Sequence, residues 1–162
     1  MQAQTKERPR EVATAAGKPD ITVRELRIED YDSVLSLWSK AGLPFRPQGR
    51  DSRERVAVEL RADRSVFLAA EMGGRLVGTV LGTHDGRKGW INRLAVAPEV
   101  QRLGIARLLV REVEARLEAL GLEIIAALIE TPNEGSLRFF RAIGYVHDPE
   151  IEYFSRRRSP DT

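Results

Sequence analysis

The chain has no cysteine, only two histidines and no long uninterrupted apolar run. Each absence removes a class of function. Without cysteine there are no disulfides, no thiolate metal ligands and no thiol nucleophile, so any acyl transfer proceeds without a cysteine-bound intermediate. His84 and His147 are too few and too far apart in sequence to suggest a metal site. No apolar stretch approaches the ~20 residues needed to span a bilayer, and the charged, Ala-rich start has no hydrophobic signal core. A cytoplasmic protein with no membrane partner is expected. Two familiar phosphate-binding motifs are missing as well: there is no G-x-x-x-x-G-K-[ST] run, and no G-x-G-x-x-G joins a strand to a helix.

What is present suits one folded domain. The 162 residues are 42% apolar, enough for a single core and too short for two. The net charge of +2 sits in the ends, because residues 1–20 carry +1 and residues 155–162 carry +2, leaving the remainder near neutrality. A near-neutral domain lacks the broad basic face that a nucleic-acid backbone requires, so no nucleic-acid partner is expected. Residues 1–20, with Pro9, Gly17 and Pro19, read as a disordered arm, residues 21–157 as the domain and residues 158–162 as a flexible tail.

Hydrophobic periodicity then orders the elements. Residues 21–27 alternate apolar and polar side chains and predict a strand; residues 29–41, with Val34, Leu35, Leu37 and Trp38, predict a helix. Pro44 and Pro47 interrupt regular structure, and a second helix is expected from Asp51 or Ser52 to about Ala62. Residues 65–72 and 75–83 read as antiparallel strands joined by Gly73 and Gly74. A strand at 90–96 leads to a long helix with Ile105, Leu108, Leu109, Val113, Leu117 and Leu120 on one stripe and Gly121 as its stop. A strand at 123–129, a short helix from Asn133 or Glu134 to Ile143, and two final strands at 145–147 and 151–156 complete the expected order β-α-α-β-β-β-α-β-α-β-β. This is an α/β domain with a mixed sheet, in which the crossover helix makes the fourth and fifth strands parallel.

The most informative stretch is 94–109, LAVAPEVQRLGIARLL, where a strand ends in a small-residue turn that opens an amphipathic helix. The first turn of a helix has backbone N–H groups without intrahelical partners and carries partial positive charge, so an anion fits there. Gly104 and Ala106 keep side chains clear of an approaching phosphate, while Gln101 and Arg102 add donors. The run Gln101, Arg102, Leu103, Gly104, Ile105, Ala106 matches [QR]-x-x-G-x-[GA] and resembles the GCN5-related N-acetyltransferase (GNAT) family. A second segment, with Asn133, Ser136, Phe139, Phe140, Gly144 and Tyr145, is similar to that family's N-x-x-[AS]-x-x-x-[YF]-x-x-x-G-[FY] pattern. The resemblance spans about residues 21–157 and implies splayed fourth and fifth strands with acetyl-CoA between them as co-substrate, and no metal.

The resemblance also assigns roles. The backbone of Leu94, Ala95 and Val96 would bind the pantetheine like an added strand, and an N–H at this edge would polarise the thioester carbonyl. Residues Gln101 to Arg107 would cradle the pyrophosphate, with Arg102 or Arg107 reaching the 3′-phosphate. Asn133 is either a helix cap or a pantetheine contact, or both, with Ser136 and Phe140 beside it. Many relatives place a tyrosine, acting as general acid, where this chain has Phe140, which has no proton to give; Tyr153 on the last expected strand is a substitute. A positioned acid is worth ~10²–10⁴ in rate, but a thiol of pKa about 8.5 is already a tolerable leaving group. Some relatives carry a glutamate base where this chain has Leu128, so the candidates are Glu130 and the His84 and Asp85 pair.

The acceptor, an amine on a small molecule, amino acid or peptide, is expected near Trp38, Phe45, Arg46 and Arg50. An arginine-bearing loop there suits a carboxylate or phosphate. The alternative to an enzyme is a non-catalytic acyl-CoA-binding or sensing module, and a homodimer is a family-level expectation.

Overall fold

A computed structural model describes residues 19–160, so the expected arm at 1–20 lies almost wholly outside the described residues. The elements follow in the order β1 (Ile21–Glu25), α1 (Tyr31–Ala41), α2 (Arg53–Glu59), β2 (Ser65–Met72), β3 (Arg75–His84), β4 (Gly89–Val96), α3 (Ile105–Ala119), β5 (Ile125–Ala127) and α4 (Glu134–Ala142). Among the described residues the strands form one sheet in the order β1-β2-β3-β4-β5, antiparallel except for the parallel β4–β5 pair. The parallel pair is the one bridged by α3, as the crossover argument requires.

The two main helices cover opposite faces. Thr79 of β3 receives a hydrogen bond from Trp38 of α1, whereas a Cβ added at Gly78 would meet Leu109 and Ile105 of α3. The glycines let α3 lie close: a Cβ at Gly89 would stand 2.7 Å from Leu117 Cδ1, and one at Gly82 would collide with Val113. Ile105, Leu109, Val110, Val113 and Leu117 are buried on that face, each stabilising the fold by about 1.5–3 kcal/mol. Leu108 and Leu120, expected on the same stripe, are exposed, because the buried stripe turns through Val110 instead.

Helix boundaries have local causes. Ser52 caps α2 by accepting from Arg55 N at 3.3 Å, and Asn133 caps α4 by accepting from Ser136 N at 3.1 Å. Gly42 ends α1 in the left-handed conformation at φ 71°.

The C-terminal part departs from the expected order. The strand expected at 123–129 is only Ile125–Ala127, and the final strands expected at 145–147 and 151–156 do not form. Alternation in the last segment puts Ile151 and Tyr153 on one side but Glu152 and Phe154 on the other, so neither side is consistently apolar. Val146, Ile151 and Phe154 stay exposed. Tyr145 instead turns back, stacking edge-on against Phe140 at 5.0 Å and donating to Glu114 of α3 at 2.7 Å. Burial and then the Glu114 bond push the Tyr145 hydroxyl well above its usual range.

Candidate active site

β4 and β5 pair only from Gly89 to Ile91, opposite Ile125 to Ala127. Beyond Ile91 the outer edge of β4 has no strand partner among the described residues, so Leu94, Ala95 and Val96 present backbone groups to an open wedge. The wedge follows from a bulge. Thr79 pairs with Ala95 but Leu81 pairs with Asn92, so Arg93 and Leu94 stand opposite the single residue Val80. Arg93 takes up the kink in the left-handed region at φ 52°.

At the far end of β4 the chain passes through a short 3-10 turn (Pro98–Val100) and a loop to α3. Arg102 (φ 67°) and Gly104 (φ 85°) are both left-handed there. No side chain caps α3 and its first turn carries no acidic residue, so its free N–H groups and positive dipole end are uncompensated. Gln101 Nε2 donates to Val96 O at 3.4 Å, joining loop to strand end, while Arg102, Leu103 and Arg107 are exposed and Ile105 is buried. The strand edge and the helix start suit a ligand that is amide-bearing in its middle and phosphorylated at one end.

A cleft of about 1060 Å³ opens on the wedge. Leu94, Asn133, Ser136 and Phe140 line it from the donor side, with Glu130 and Tyr153 further along. His84 and Asp85 do not line it. His84 has the same strand parity as Gly78 and Gly82, which face α3, and its Nδ1 is buried without a hydrogen-bond partner. Asp85 is exposed and caps its own turn, accepting from Arg87 N and Lys88 N at 2.8 Å each. The Lys88 and Arg87 N–H groups hold its carboxyl below the ordinary range.

A buried polar network on the opposite wall was not anticipated. Arg93 Nη2 meets Asp51 Oδ1 at 2.5 Å, Nη1 donates to Pro44 O at 2.8 Å, and the guanidinium lies over the Trp38 ring at 5.0 Å. Trp38 Nε1 donates to Thr79 Oγ1 at 2.9 Å, and that hydroxyl donates to Arg93 O at 3.0 Å. Asp51, only 4% exposed, also accepts from Arg46 N, and its carbonyl accepts from the Tyr31 hydroxyl. Burial pulls the Arg93 guanidinium below its usual value, and Asp51 opposes that pull. The result ties residues 42–52 to the bulge of β4. The sequence signal for it is Arg93, the one charged residue of β4, which burial obliges to find a partner.

The wedge, the bulge and the uncapped helix start lie together at one end of β4. The profile of the Acetyltransferase (GNAT) family matches residues 25–145, three quarters of the chain, and the chain belongs to that family. Solved structures agree on the fold. PaiA N-acetyltransferase from Thermoplasma acidophilum, in complex with coenzyme A, is 20% identical, with TM-score 0.71 over 80% of this chain and 91% of that one. Aminoglycoside 6'-N-acetyltransferase AAC(6')-Ih from Acinetobacter baumannii is 15% identical, with TM-score 0.72 over 86% and 100%. Ribosomal-protein-alanine N-acetyltransferase from Brucella melitensis biovar Abortus 2308 is 17% identical, with TM-score 0.66 over 85% and 100%. Among the described residues no helix is long and apolar enough to cross a membrane.

Proposed function

We propose that this acetyltransferase moves the acetyl group of acetyl-CoA to a primary amine by direct attack in a ternary complex. The observation that carries the reading is the unpaired edge of β4 running into the uncapped start of α3. Leu94, Ala95 and Val96 bind the pantetheine through the backbone, residues Gln101 to Arg107 seat the pyrophosphate, and Asn133 and Ser136 flank the arm. The amine nitrogen attacks the thioester carbon, the new C–N bond forms, and the C–S bond breaks with the electron pair leaving on sulfur. Glu130 takes the ammonium proton, directly or through water, and Tyr153 or water protonates the thiolate; both side chains line the cleft. His84 and Asp85 have no part in this reading. A cytoplasmic setting and a homodimer belong to the same proposal.

Phe140 favours a second reading. It is buried in the cleft wall and has no hydroxyl, which suits an acyl-CoA sensor that binds without turning over. Calorimetric titration with acetyl-CoA and a CoA-release assay across an amine panel separate the two. The enzyme binds at micromolar concentration and turns over, and the sensor binds only. No binding at high micromolar concentration overturns both.

A further inference from the structure

The outer edge of β4 offers backbone groups, whereas the end of the cleft beside Arg64 carries more positive than negative side chains. Arg64 marks that end: its carbonyl accepts from His84 N at 3.0 Å, and His84 pairs with Gly89, the first residue of β4, while the donor turn follows Val96, the last. Arg55 is one helical turn from Glu59 on α2, and Glu59 accepts from the hydroxyl of Ser65, the neighbour of Arg64. Arg55 and Arg64 therefore approach the same end of the cleft, and both line it. Both are exposed, and neither guanidinium has a hydrogen bond or ion pair among the described residues.

The charge around them does not balance. Five arginines line the cleft against three carboxylates. Asp51 is already taken by Arg93 and lies 3.7 Å from Arg50, Glu130 follows β5, and Glu59, which keeps its charge while accepting from Ser65, offsets only one of the two guanidiniums of Arg55 and Arg64. A surplus of guanidinium in a partly enclosed, partly apolar cleft focuses positive potential. An acceptor amine arrives as a cation and is repelled by such a field unless the same molecule brings an anion.

We propose that the acceptor carries an anionic group, a carboxylate or a phosphate, which Arg55 and Arg64 bind, so that its amine is directed along the cleft toward the bulge of β4. Guanidinium forks match both groups in a bidentate manner, which a bare polyamine does not offer. This rests on the acetyl-transfer reading above and selects the substrate class for it.

The test compares matched amines with the full chain and acetyl-CoA: 5-aminopentanoate against 5-aminopentanamide, phosphoethanolamine against ethanolamine, and kanamycin as a polycation. CoA release and calorimetric binding to the protein–CoA complex are both read. At least one acidic member is expected to exceed its neutral partner tenfold or more in kcat/KM or affinity, with kanamycin inactive. The better acidic member identifies carboxylate or phosphate as the group. Arg55→Gln and Arg64→Gln should each raise KM for it about tenfold with kcat changed less and CoA affinity unchanged, while a wild-type-like melting temperature shows that the variants fold. Equal or better use of the neutral amines or of kanamycin overturns the proposal, as does the absence of any acidic preference in both readouts. Weakened CoA binding in the two variants also overturns it, by assigning the arginines to the donor. Failure of wild-type CoA binding is a different result, which removes the acetyl-transfer reading itself.

Discussion

The two halves of the proposed site are made differently. The proposed donor half is main chain: a strand edge freed by the bulge at Arg93 and a helix start whose N–H groups no side chain caps. The proposed acceptor half is side chains that line the cleft, delivered by the loop at 42–52, α2 and the C-terminal segment onto a frame held by Arg93 and Asp51. Backbone groups can be placed by local sequence alone. Side chains from distant segments depend on packing, and their identity can change without changing the fold. That division suits a family in which one donor is shared and acceptors differ.

The division can be broken most severely at Gly104. A side chain there is strained at φ 85°, and Gly104→Glu also sets a carboxylate beside the pyrophosphate seat. CoA affinity should fall at least about a hundredfold, or ~2.8 kcal/mol, by calorimetry, with the melting temperature much less affected. Asp51→Ala is the matching cut in the other half. It leaves the Arg93 guanidinium half-buried without its anion, and chemical denaturation should show a loss of about 3 kcal/mol. Thr79→Val removes one hydroxyl from the same network, stranding Trp38 Nε1 and Arg93 O, and should cost about 1–2 kcal/mol in the same assay.

Two smaller effects test the seam between the halves. The Tyr145 hydroxyl is held protonated above its ordinary pKa of 10.0, so its folded value exceeds its unfolded one. The stability this contributes is fully present below pH 10 and is lost as pH rises from there through the folded value. Unfolding free energy should therefore decline more steeply above pH 10 in the wild type than in Tyr145→Phe. Phe140→Tyr should change turnover least, leaving it within threefold or raising it, because it adds a proton donor to a ring already seated against Tyr145. A large loss would show that the site is organised around the phenyl ring.

The elements of residues 94–109 and 133–145 were readable because they are local: a strand, a small-residue turn, an amphipathic helix and a capping asparagine. Even there, Leu108 and Leu120 carry the apolar spacing of the stripe but stay exposed, since α3 buries Val110 in preference. The pairing of Arg93 with Asp51 spans 42 residues and leaves no periodic trace. His84 looked promising as a turn neighbour of Asp85, but strand parity turns it toward α3. The final strands do not form for a related reason. Alternation in residues 151–156 is real but is apolar on neither side, and only a long free sheet edge would have organised it, whereas β5 is three residues long.

Amide hydrogen exchange with and without coenzyme A tests the central claim most directly, because it reports on backbone groups one by one. Coenzyme A should slow exchange at residues 94–96 and 101–107 and leave residues 53–59 unchanged. Unchanged exchange at 94–96 and 101–107 under saturating coenzyme A would contradict the account.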